Sequence, residues 1–339
     1  MNNISEKSQF HRFFPHTRLR RTRQSAWIRE MVAETTLHPS NLVLPIFLIE
    51  GEGKNEAIPS LPGVERMSID IAIKQLIKAH QLGIGLVAIF PVVPSAKKNP
   101  EGSEALNPNN LVCRALKAFK QAVPAMGIMT DVALDPYTSH GHDGIMSDGQ
   151  IINDETVAIL CEQALLQAKA GADIVAPSDM MDGRIAMIRQ QLEQSQLHNT
   201  LILSYAVKYA SHFYGPFRDA VQSGSLLKGD KKTYQMDYRN TAEALHEAAL
   251  DVAEGADMLM VKPGLPYLDV LYRVKQQFAL PTLVYQVSGE YAMLKAAAAQ
   301  NWLNYEQTLM ESLLAFRRAG ADAIITYAAI EAAEILART

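Results

Sequence analysis

Cysteine is scarce: Cys113 and Cys161 are the only two in 339 residues, and both fall in stretches with helical apolar spacing. Two such thiols argue against a disulfide framework or a cysteine-rich metal site, and they suit a reducing, cytoplasmic compartment. Long apolar runs are missing as well. None reaches the roughly 18 residues of a membrane span, and the longest, LVLPIFLI at 42–49, is interrupted by Pro45. Positive charge is not in excess. A net charge of -4 leaves no global reason to bind nucleic acid or an anionic membrane. No GxGxxG follows the first apolar run, which removes the fingerprint of a dinucleotide-binding sheet. The rest is ordinary: 48% apolar and 20% charged residues exclude disorder and leave a small molecule as the expected ligand.

Residues 1–40 differ from the remainder of the chain. Lys7, Arg12, Arg18, Arg20, Arg21, Arg23 and Arg29 face almost no acid before Glu30. A transit peptide, a nucleic-acid arm and a subunit-packing extension all fit that charge pattern. Phe10, Phe13, Phe14, Leu19 and Trp27 are too apolar for a solvated tail and favour the extension.

From residue 41 to 339 the chain alternates short apolar runs with helical patterns. The runs are LVLPIFLIE (42–50), LVAIFPVV (86–93), MGIMTDVAL (126–134), ADIVAPS (172–178), TLILSYAV (200–207), ADMLMVKP (256–263), PTLVYQVS (281–288) and ADAIITYA (321–328). Continuous apolar runs, rather than alternating ones, predict strands covered on both faces, as parallel strands are. Helical patterns start near Ser68, Leu111, Asp154 and Asn240, the last with Glu243 three residues on as a start signal. An echo, AGAD (170–173), EGAD (254–257) and AGAD (319–322), joins helix ends to strand starts, with glycine as the left-handed cap. Eight β-then-α units predict an α/β fold, a (β/α)8 TIM barrel with an extended N-terminal arm and no second domain.

In such a barrel the chemistry collects at the carboxyl ends of the strands. Those ends carry Asp131, Ser178 and Asp179, Tyr205 and Lys208, Lys262, Ser288 and Tyr327. Two lysines on adjacent strands are the unusual feature. Apolar surroundings and a neighbouring ammonium both lower a lysine pKa, and a neutral amine is the nucleophile that forms a Schiff base with a carbonyl. Two amines on strands about 5 Å apart could each hold one keto compound and so join two substrates. The segment 209–240 is long and aromatic, with Arg218, Lys228, Lys231 and Lys232, and reads as a lid over an anionic substrate.

The stretches DVALDPYTSHGHDG (131–144), APSDMMDGR (176–184), SYAVKYASHFYGPFRDA (204–220), GADMLMVKPGLPYLD (255–269) and YQVSGEYAM (285–293) together resemble the porphobilinogen synthase, or 5-aminolevulinate dehydratase, family. The likeness runs from about residue 11 to the end. It implies a lyase that condenses two 5-aminolevulinate molecules, with loss of two waters, to porphobilinogen for haem and other tetrapyrroles. Lys262 would hold the substrate whose amino group stays free, and Lys208 the one giving the propionate side. Arg218 and Lys231, with Lys232 adjacent as an alternative, would bind one carboxylate, and Ser288 and Tyr327 the other. Asp131 and Ser178 would assist proton transfer and amine positioning, with Tyr205 beside them.

The same resemblance bears on metals. Where zinc-using members carry cysteines, this chain has Ala133, Asp135 and Asp143, which disfavours zinc and suits magnesium or a monovalent cation. Asp135 and Asp143 could hold such a hard cation or replace it by charge alone. Glu247 matches the glutamate that holds hydrated, allosteric magnesium in magnesium-responsive members, and the arm then implies a homo-octamer. Two other readings stay open on the residues: a class I aldolase-type barrel using Lys262 alone, and a non-catalytic barrel that binds a tetrapyrrole precursor.

Overall fold

The computed structural model describes residues 13–221, 227 and 229–338. The start of the basic arm, with Lys7, Phe10 and Arg12, and Lys228 of the expected lid lie outside the described residues. The chain divides between Thr36 and Leu37 into two units. In the first, the 3-10 turn Leu19–Arg23 and the helix Ala26–Met31 contain no buried residue.

The second unit is a closed barrel of eight parallel strands: β1 (Leu42–Leu48), β2 (Leu86–Pro91), β3 (Gly127–Val132), β4 (Ile174–Pro177), β5 (Leu201–Lys208), β6 (Met258–Lys262), β7 (Thr282–Gln286) and β8 (Ala323–Thr326). Neighbours pair in sequence order, and β8 returns to pair with β1 through Leu42 and Val43. All eight expected runs supply one strand each, because both faces of every strand are covered. Pro45 is tolerated inside β1 for a local reason. On one side β1 pairs first with β8 at 42–43 and then with a short outer strand, Glu65–Met67, at 47–48, and Pro45 falls in the gap.

Eight helices follow the strands: α1 (Ile69–Gln81), α2 (Leu111–Ala122), α3 (Asn153–Ala170), α4 (Arg184–Gln194), α5 (Ala242–Ala253), α6 (Leu268–Phe278), α7 (Tyr305–Arg318) and α8 (Ala329–Leu336). Their stripes face the strands, as Val112, Ala115, Leu116 and Phe119 do in α2, and the Asn110 side chain caps that helix by accepting the Cys113 N–H. At α5 the cap falls on Thr241, one residue past the expected Asn240, whose amide instead bonds Glu243 at 2.7 Å.

The AGAD echo does more than end helices. Gly171, Gly255 and Gly320 take the positive φ expected of a cap. The aspartates that follow act across strands: Asp173, Asp257 and Asp322 each accept, at 2.7 Å, the N–H that starts the preceding strand, from Ile128, Ile202 and Thr282. Each also pairs with a cation from a helix, namely Lys120, Arg189 and Lys275. Three identical ties therefore brace the amino-terminal rim, joining β3 to β4, β5 to β6 and β7 to β8.

Additions at the opposite rim shape the site. A hairpin, Ile145–Ser147 with Gln150–Ile152, precedes α3; a short helix, Gly215–Ala220, follows β5; and an extra helix, Ser288–Ala299, follows β7.

Candidate active site

β5 and β6 both end in lysine, and their register makes Lys208 and Lys262 direct Cα partners. The pairing starts with Met258 opposite Leu203 and slips by one residue between Leu259 and Val261, and that irregularity brings Lys262 opposite Lys208 rather than Val207. Both side chains are buried. Lys208 Nζ donates to Asp143 Oδ1 at 3.3 Å and to the Ser178 carbonyl oxygen. Lys262 makes no ion pair among the described residues. Its Nζ sits among four aromatic rings, 4.7 Å from the centroid of Tyr285, 5.2 Å from Tyr205 and Phe217, and 5.3 Å from Tyr214. Burial first, and the Lys208 ammonium second, lower the Lys262 pKa to about 7. Ring faces attract a cation only weakly compared with a carboxylate, so this amine is available uncharged near neutrality.

Acids ring the pair. Asp131 closes β3 with Oδ1 buried and unpartnered among the described residues. Burial, reinforced by Asp135, raises its pKa to about 6. Burial also acts on Asp143, but Lys208, Lys231 and the Tyr234 hydroxyl at 2.8 Å outweigh it and hold that carboxyl well below the usual range. Lys231 is 2.6 Å from Asp143 and 3.2 Å from Asp135. The two acids expected to hold a hard cation thus face the ammonium expected to hold substrate. Lys232 points elsewhere, pairing with Asp230 in an exposed position, so of these two adjacent lysines Lys231 is the one that reaches the site.

The residues expected to bind substrate carboxylate lie at or against the segment 209–240. Arg218, on the helix Gly215–Ala220, is half-buried and makes no hydrogen bond or ion pair among the described residues. With Lys208, Lys262, Lys231 and Asp135 it lines a cleft of about 40 Å³. Arg66 holds this helix, donating to the carbonyls of Ala220 at 2.6 Å and Asp219 at 2.7 Å. The Ser288 hydroxyl accepts the Phe217 N–H at 2.9 Å and donates to the Phe213 carbonyl at 3.2 Å, so the backbone of 213–217 occupies it. Tyr327 shares a hydroxyl bond of 3.1 Å with Tyr285 and stacks on Phe47. Ser178 contributes its carbonyl to Lys208, and its side chain partly offsets the upward shift of Asp131. Asp179 stays outside the cluster, turned to the buried Arg184 at 3.6 Å.

Sequence reasoning passes over the ring cage of Tyr214, Phe217 and Tyr285, the contact from Tyr234 to Asp143, and Arg66. The aromatic richness of 209–217 is the one signal that points to the cage. The others depend on loop contacts between segments far apart in the chain, for which spacing carries no trace.

Metal-binding groups are sparse. Among the described residues, no group of three or more His, Cys, Asp or Glu could hold a metal ion. Both cysteines are buried in α2 and α3, and Ala133 offers no thiol, so a thiolate zinc site does not fit. Glu247 lies on α5, half-buried, with its pKa raised chiefly by burial. It lines a cavity of about 690 Å³ together with Asp182, Asp230 and Glu243; neither lysine of the pair, nor Arg218 nor Asp131, lines it.

Residues 16–335 match the family model for delta-aminolevulinic acid dehydratase. The chain is 58% identical over 319 residues to the delta-aminolevulinic acid dehydratase of Bradyrhizobium diazoefficiens, with 94% of this chain and 90% of that one covered. It is 51% identical to that of Chlamydia pneumoniae, covering 94% and 96%. A solved delta-aminolevulinic acid dehydratase (porphobilinogen synthase) of Toxoplasma gondii, in complex with the reaction product porphobilinogen, matches with a TM-score of 0.92 at 49% identity, covering 94% of this chain and 91% of that one.

Proposed function

The chain belongs to the delta-aminolevulinic acid dehydratase family, and from that premise we propose how its own residues carry the reaction. It is a lyase of porphyrin biosynthesis that condenses two 5-aminolevulinate molecules to porphobilinogen with loss of two waters.

The neutral Lys262 amine attacks the keto carbon of one substrate, and Lys208 that of the other. Each imine forms with loss of one water, which accounts for both waters. One C–N and one C–C bond between the substrates then close the ring, each displacing a lysine, which leaves as a free amine. Asp131, with its pKa near 6, accepts and returns protons beside both amines. Arg218 and Lys231 bind one carboxylate, Ser288 and Tyr327 the other, and Tyr205 lies under both amines. The cleft holds about one or two waters in volume, so the lid 209–240 opens for substrate.

The observation that carries this reading is the direct register of two buried lysines, one with its pKa brought to about 7. Borohydride reduction in the presence of 5-aminolevulinate, followed by peptide mass spectrometry, tests it. Adducts on Lys208 and Lys262 are expected; adducts on neither overturn the mechanism, and adducts on Lys262 alone favour the aldolase-type chemistry.

The chain belongs to the magnesium-responsive, non-zinc branch in this reading. Magnesium would be held at Glu247 through its waters, in keeping with that ion's reluctance to dehydrate and with a roomy, acid-lined cavity. At Asp135 and Asp143, the Lys208 and Lys231 ammonium groups supply positive charge, which favours charge compensation over a bound cation there. The arm 1–40 serves assembly into a homo-octamer, supported by the exposure of Phe13, Phe14, Leu19, Trp27 and Met31. Two free, buried thiols favour the cytoplasm, and no helix among the described residues is long and apolar enough to cross a membrane.

A further inference from the structure

Glu290 is fully buried in the helix Ser288–Ala299 and has no cationic partner among the described residues. Its carboxylate is held by backbone alone. Oε2 accepts the N–H of Val287 at 2.8 Å and of Gly264 at 3.1 Å, and Oε1 accepts that of Leu265 at 2.5 Å. The Val287 bond is half of an ordinary capping box at the start of that helix. The other two are not local. They come from the turn that leaves β6 directly after Lys262 and Pro263.

That turn has no slack. A Cβ on Gly264 would lie 2.5 Å from the Phe316 ring and 3.0 Å from the Tyr285 carbonyl oxygen. One carboxylate therefore fixes the backbone two residues after Lys262 and the backbone immediately before Ser288. We propose that Glu290 is a positioning residue for the condensation, setting the distance between the Lys262 amine and the Ser288 hydroxyl. In consequence it sets the separation between a reacting imine carbon and a carboxylate anchor. This rests on the roles given above to Lys262 and Ser288.

The chemistry requires a carboxylate of this length. Three N–H groups converge on two oxygens, and an amide would turn an NH2 toward at least one of them, leaving a buried donor unpaired. An aspartate, one methylene shorter, cannot reach both turns. Misplacement of the amine by a fraction of an ångström is costly because imine formation depends on alignment.

Glu290→Gln and Glu290→Asp, each checked for native circular dichroism and melting, are incubated with 5-aminolevulinate, reduced with borohydride for a fixed time and mapped. The expected result is a ratio of Lys262 to Lys208 adduct lowered by about tenfold or more against the unmodified protein, with kcat falling more than KM rises. A folded Glu290→Gln with an unchanged ratio and unchanged kcat overturns the proposal. So does an equal fall of both adducts, which a purely structural role would give. If Glu290→Gln does not fold, Glu290→Asp is read by the same ratio. Adducts at neither lysine in the unmodified protein would remove the Schiff-base reading and this proposal with it; adducts at both, with no change of ratio in the variants, would remove this proposal alone.

Discussion

Lys208 and Lys262 occupy one ladder position on β5 and β6 and share the Tyr205 ring, yet their other partners differ. Lys208 meets a carboxylate and a carbonyl, whereas Lys262 meets only rings. The same strand geometry thus yields one amine held by a carboxylate and a carbonyl and one poised to lose its proton.

That asymmetry predicts a pH dependence. The reacting form of Lys262 is neutral, so kcat/KM should climb as pH rises through about 7, and ionisation of Asp131 near 6 acts in the same direction. Lys208→Met removes the positive neighbour and raises the Lys262 pKa. The midpoint of borohydride trapping at Lys262 is therefore expected at higher pH in that variant; an unmoved or lowered midpoint would contradict the coupling.

Substituting Lys262 should move stability and activity in opposite directions. Between its folded pKa of about 7 and the ordinary value of 10.5, the folded chain binds fewer protons than the unfolded one. Stability then rises with pH across that window, and the full penalty is present below it. Lys262→Met should lower turnover by roughly 10³-fold or more while raising the melting temperature, most at pH 6 and hardly at all near pH 10. Equal stabilisation at every pH would show that charge burial is not the cause.

Metal dependence separates the two acid groups. Activity should persist when zinc is chelated and magnesium supplied. Glu247→Gln should abolish the response to added magnesium and leave trapping at both lysines intact. Restoration by zinc alone would overturn the magnesium assignment.

A fourth expectation concerns the amino-terminal rim. Asp257→Ala strands the Ile202 N–H and should cost about 1–3 kcal/mol, measured by denaturant unfolding. Turnover per folded molecule should change little if the other pairings of β5 and β6 keep the lysines in register. A large fall in turnover would show that the tie sets the register by itself.

Much of the scaffold is legible in the chain because burial on both faces leaves an imprint: Leu42–Leu48 is apolar throughout, and Thr282–Gln286 has an apolar centre and is buried along its whole length. The lysines are legible for the same reason, being polar exceptions at the ends of such runs. The helix Ser288–Ala299 is not legible, since its alanine-rich sequence has little amphipathic contrast to mark a face. Lys231 matches a substrate-carboxylate ligand by motif, but its position between Asp135 and Asp143 depends on how a long segment folds back over the barrel. The start of α5 shifts because Asn240 spends its amide on Glu243 rather than on the backbone. The aspartates of the AGAD echo give no sign of their role because their partners lie 40 to 55 residues away.

Those aspartates also divide the labour between the two ends of the barrel. The brace that holds it is present in triplicate, so losing Asp173, Asp257 or Asp322 leaves two intact copies to carry the load. The chemistry at the other end is present once. Evolutionary drift can be absorbed at the first rim by redundancy, whereas the second has no spare part.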